Sequence, residues 1–121
     1  MRNFIFVCTL LAASATSRAQ DAVYVGAGQQ TCGYWVTARK ASAATSSSKP
    51  QVKETVVMSW VHGFVVGVWA RDGGRHAAFA VPDGPAMQVW LDKYCADNPQ
   101  DLVMQATLQL VTELSKQGHN E

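Results

Sequence analysis

From residue 51 to about residue 70 apolar side chains recur three and four apart: Val52, Val56, Val57, Trp60, Val61, Phe64, Val65 and Val68. This spacing predicts a long central helix, and Val66 and Trp69 widen its apolar stripe so far that neighbours must cover much of it. Gly63 and Gly67 lie four apart on it, and since an exposed helical glycine costs about 1 kcal/mol against alanine, they predict the close approach of another helix. Upstream, Thr31 can cap a helix whose apolar side carries Cys32, Trp35 and Val36, although Gly33 weakens it. Residues 45–49 (TSSSK) read as a polar linker, after which Pro50 suits the first turn of the central helix.

Downstream, Asp72-Gly73-Gly74 signals a turn, and residues 71–82 read as an ordered loop or short extended piece closed by Pro82. Asp83-Gly84-Pro85 starts a third helix with a stripe of Met87, Trp90, Leu91 and Tyr94. Asn98-Pro99-Gln100-Asp101 then reads as the start of a fourth, with Asn98 as cap, Pro99 in the first turn and Asp101 at the positive end of the helix dipole. Its stripe of Leu102, Val103, Ala106, Leu110 and Leu114 stops at Gly118. The expected fold is all-α: one four-helix domain over residues 31–118 and a tail over residues 119–121.

The first 19 residues follow another rule. Met1-Arg2-Asn3 supplies a positive charge, residues 4–13 (FIFVCTLLAA) are an uncharged apolar run of 10, and Ser17-Arg18-Ala19 puts small residues where a signal peptidase reads them. This is the three-part pattern of a secretory signal cleaved between Ala19 and Gln20. A membrane anchor would need about 20 apolar residues. The mature form is thus expected to be periplasmic or secreted, without a membrane span, and residues 20–30 read as an extended leader. Cleavage removes Arg2 and Arg18, so ten basic residues become eight against nine acidic ones. A near-neutral domain with no basic stripe is not expected to bind nucleic acid or an anionic membrane surface.

Export also changes the meaning of the cysteines, because only Cys32 and Cys95 remain after cleavage, in an oxidising compartment. Their default state is a disulfide, worth roughly 4 kcal/mol by loop-closure entropy. Two free thiols or a metal site are the alternatives; neither cysteine has a Cys or His at ligand spacing.

The residues supply little catalytic chemistry. His62, His76 and His119 are far apart, and His62 reads as a structural histidine of the central helix. No nucleophile elbow, phosphate loop or dinucleotide fingerprint is present. Asp92, Asp97 and Asp101 gather near the junction of the third and fourth helices, in an order that fits capping and solubility rather than paired acid/base catalysis. No catalytic residue, metal ligand or cofactor is therefore assigned, and the chain reads as a non-enzyme. The better candidates are protein contacts: Arg75, His76 and Phe79 on the loop, with Trp69 beside it. Four tryptophans are many for this length; core filling accounts for three, and one left exposed would anchor an interface.

Two resemblances follow from these residues. Thr31-Cys32 opening the first helix, the Trp-containing central helix, and Tyr94-Cys95-Ala96-Asp97-Asn98-Pro99-Gln100 resemble the HdeA/HdeB family of periplasmic acid-stress chaperones over roughly residues 30–115. That resemblance implies a small helical domain with Cys32 and Cys95 as the family's bridge. It also implies a homodimer at neutral pH that comes apart in acid to bind unfolded client proteins. The segment Trp60-Val61-His62-Gly63-Phe64-Val65-Val66-Gly67-Val68, with Val81-Pro82-Asp83-Gly84 and Tyr94 to Pro99, is similar to the Tai-type immunity proteins. These neutralise peptidoglycan amidases delivered by type VI secretion, and the similarity implies one specific protein partner. An exported helical domain with neither role is the third expectation.

Overall fold

The computed structural model describes residues 26–45 and 51–119, with only the backbone of His76. The expected signal peptide, the leader up to residue 25, most of the linker and residues 120–121 lie outside the described residues. Four α-helices make up the domain: α1 (Cys32–Ala44), α2 (Val52–Arg71), α3 (Gly84–Asp97) and α4 (Val103–Gly118). No strand forms among the described residues; a single antiparallel bridge joins Thr31 to Leu102. The fold is all-α, with a disulfide between Cys32 and Cys95, whose Cα atoms are 4.8 Å apart.

Local chemistry explains the helix starts. The Thr31 side chain accepts from the Tyr34 amide at 3.2 Å and the Asp83 carboxylate from the Ala86 amide at 2.8 Å, each meeting a donor that the first turn leaves orphaned. Pro85 sits in the first turn of α3, as expected. At α2, Glu54 reaches back to the Gln51 amide at 3.4 Å, and at α4 Gln105 accepts from the Leu102 amide at 2.7 Å. The α2 helix ends at the expected turn, where Gly73 and Gly74 take φ of 102° and 59°, values that favour glycine.

The 98–101 segment does not do what the sequence suggests. Asn98 ends α3, its amide and side chain both donating to the Tyr94 carbonyl at 3.0 and 2.9 Å, and α4 begins only at Val103. The Pro99 and Asp101 carbonyls instead accept from the Gly33 and Cys32 amides at 2.9 and 2.7 Å. The α3–α4 connection therefore satisfies the free N–H groups of α1, immediately beside the disulfide. A side chain at Gly33 would lie 3.3 Å from the Pro99 carbonyl, so the glycine that looked weak for a helix permits this closure.

The expected leader is not extended where it is described. Gly26–Gln29 forms one tight helical turn, with Gly28 pressed against the Trp60 ring so closely that a Cβ would overlap it. The expectation for Gly63 and Gly67 is likewise overturned: both are exposed, and a Cβ at either meets nothing within 4 Å. The outer face of α2 is uncovered there, and Val52 and Val56 on it are 77% and 52% exposed. Beneath, Trp35, Val57, Val61, Val65, Met87, Leu91 and Val103 surround the disulfide in one core to which all four helices contribute.

Candidate functional site

Two features rise above packing. The first is a polar clasp at the edge of the core, centred on Arg39. Its guanidinium donates to Asp92 through Nε (3.0 Å) and Nη2 (2.9 Å), a two-pronged pairing, and through Nη1 to Glu54 at 3.0 Å. Asp92 also accepts from the Trp35 indole at 2.8 Å. One cation thereby ties α1 to both α2 and α3, in the fork geometry that arginine provides. Each partner follows from helical spacing: Arg39 lies one turn beyond Trp35, Asp92 follows buried Leu91, and Glu54 lies three residues before buried Val57.

Burial makes Glu54 the sensitive member, since its side chain is 5% exposed against 36% for Arg39 and 35% for Asp92. Burial pushes the Glu54 carboxyl up, but the Ser42 hydroxyl, the Arg39 guanidinium and the Gln51 amide more than offset this, leaving its pKa below the ordinary value. Ser42 Oγ is itself buried, with no hydrogen-bond partner among the described residues. Arg39 is held above its ordinary pKa, chiefly by the bonds to Asp92 against the opposing effect of burial.

Two further bonds close the other end of the domain. The Trp90 indole donates to Glu113 at 2.9 Å, joining α3 to α4, and the Tyr94 hydroxyl donates to Asp101 at 2.7 Å. The bond to Asp101, with burial, raises the Tyr94 pKa. Asp92 and Asp101 are thus structural partners in separate networks, and neither caps a helix with its side chain.

The second feature is an open cleft of about 840 Å³ between the end of α2, residues 77–81 and the end of α4. Trp69, Arg75 and Phe79 all line it, so three of the expected contact residues do come together. Phe79 is nonetheless buried at 7% exposure and belongs to the core, which corrects its reading as a surface contact. Arg75 is exposed and Trp69 half-buried against Gly74; His76 contributes its backbone to the Gly74–His76 turn. None of the four tryptophans is fully exposed: Trp35 is buried and the others are half-buried. His62 is exposed rather than built into the core, beside a smaller groove between α2 and α3.

Among the described residues no three His, Cys, Asp or Glu side chains are grouped to hold a metal ion, and no helix is long and apolar enough to cross a membrane. Arg39 and Glu54 were missed by sequence reading because each is a single charge within an apolar stripe. The available signal was that a charge at a core-facing position requires a partner. Compared with family models, curated proteins and solved structures, the chain matches none of them.

Proposed function

We propose that this chain is an exported protein-binding domain that acts as an acid-responsive holdase, as its resemblance to the HdeA/HdeB chaperones implies. The observation that supports this reading is the Arg39 clasp, in which two carboxylates on different helices hold one cation and the more buried one, Glu54, lies inside the core edge. The direction of its response to pH follows from linkage. Glu54 has a folded-state pKa below its ordinary 4.5, so its contribution to stability is complete above that value and is lost as pH falls through the depressed one. Protonation then leaves Arg39 without its buried partner, while the eight basic residues of the mature chain lose the balance of its nine carboxylates and repel one another.

Acid would not free the helices equally. The disulfide keeps α1 and α3 tied, whereas among the described residues α2 is held by the clasp and by apolar packing. Loosening α2 would expose Val57, Val61 and Val65, a surface suited to unfolded clients. The test is light scattering of an aggregating client protein at pH 3 and pH 7. Protection at pH 3 alone is expected, and protection at neither pH would refute the reading.

A second reading, a stoichiometric partner-binding module of the immunity type, draws support from the open cleft that carries Arg75 and Trp69. It predicts a tight one-to-one complex at pH 7 that Arg75→Glu weakens.

A further inference from the structure

The Arg39 clasp grips α2 near its start, through Glu54. Further along the same helix lies a second grip that uses no charge: the backbone of Gly26–Gln29 rests on the indole ring of Trp60. A Cβ at Gly28 would overlap three atoms of that ring, and one at Gly26, whose φ is 85°, would lie 3.8 Å from it. The lack of a side chain is what lets the backbone come this close. Trp60 is fixed in turn by stacking on Phe64, with ring centroids 5.3 Å apart. Ala27, between the two glycines, is buried in the core.

The turn and the helix it rests on are anchored differently. Just after the turn, the Gln30 carbonyl accepts from the Val103 amide at 2.8 Å, Thr31 bridges to Leu102, and Cys32 enters the disulfide. The turn is therefore fixed to α1 and α4, and through the disulfide to α3. The α2 helix carries no cysteine, and its outer face is open: Val52 and Val56 are exposed, and a Cβ at Gly63 or Gly67 meets nothing among the described residues. Its inner side keeps it in place, where the clasp, the core and the turn meet it.

We propose that the Gly26–Gln29 turn is a latch that holds α2 against the rest of the domain, and that lifting it from Trp60 opens α2 at neutral pH while the other three helices stay folded. The latch differs from the clasp in chemistry. Residues 26–31 (GAGQQT) and the rings of Trp60 and Phe64 carry no acidic or basic group, so its hold comes from close fit alone. One moving helix thus has two independent controls, a charged one at Glu54 and a steric one at Trp60. The inference deepens the holdase reading and rests on it, because it names a second control on the helix whose release that reading requires.

The experiment is residue-resolved amide hydrogen exchange on the exported protein at pH 7. In Gly28→Ala the α2 amides around Val57, Val61 and Val65 should exchange about tenfold faster, with those flanking Cys32 and Cys95 unchanged. Trp60→Leu removes the ring and leaves the glycine turn intact; it should have the same α2-selective effect, which keeps the test alive if Gly28→Ala does not fold. In the Trp60→Leu background, Gly28→Ala should add less than about twofold, because its Cβ no longer meets the indole. Faster exchange along the whole chain, unchanged exchange in α2, or full additivity of the two substitutions would overturn the proposal. Client protection by the unaltered protein at pH 3 tests the holdase reading separately. Protection there without α2-selective opening in Gly28→Ala sinks the latch alone, and selective opening without protection at pH 3 sinks the reading alone.

Discussion

Arg39 concentrates more of the architecture than any other polar residue, because its guanidinium is the shared partner of two carboxylates from separate helices. Removing it leaves Glu54 buried and unpaired, the situation in which a lost ion pair is most costly. Arg39→Ala should therefore destabilise the domain by about 2–3 kcal/mol in urea titrations, less than for a fully enclosed pair because the guanidinium is partly solvated. The variant should also blunt the pH response. Without Arg39, the burial that raises the Glu54 carboxyl is opposed only by the Ser42 hydroxyl and the Gln51 amide, so less stability is lost as pH falls through its folded-state pKa. Urea midpoints that fall less between pH 5 and pH 3 in Arg39→Ala than in the unaltered protein would bear this out; parallel curves would exclude Glu54 as the sensitive group.

At the level of elements, the two glycines of α2 distinguish an open face from a packed one. Because a Cβ at Gly63 or Gly67 meets open space, Gly63→Ala and Gly67→Ala should each stabilise the protein by about 1 kcal/mol. Thermal unfolding measures this directly, and a loss of stability would mean that another helix does approach there. The four helices were legible because apolar spacing, Thr31, Asp83 and the turn at Gly73 and Gly74 act locally. What could not be read were closures between distant elements. Asn98-Pro99 carries every mark of a helix start, yet the Pro99 carbonyl, like that of Asp101, serves α1, some 65 residues earlier in the chain. Gly33 looked like a weakness for the same reason, since the Pro99 carbonyl that approaches it closely comes from a remote segment, as does the Trp60 ring pressed on Gly28. Phe79 was misread because a loop residue was taken as a surface residue, whereas this loop folds its aromatic ring into the core.

Across the whole molecule, stability divides between a covalent tie and a titratable one. The Cys32–Cys95 bridge spans 63 residues, and its replacement by serine at both positions should cost about 4 kcal/mol in denaturant titrations. The bridge is insensitive to acid, while the Arg39 clasp is weakened by it, so α1 and α3 should stay together under conditions that loosen α2. Hydrogen exchange followed residue by residue at pH 7 and pH 3, corrected for intrinsic rates, tests this most directly. The account predicts that α2 amides around Val57, Val61 and Val65 lose protection at pH 3 while those flanking Cys32 and Cys95 keep it. Uniform loss along the chain, or full protection of α2 in acid, would contradict it.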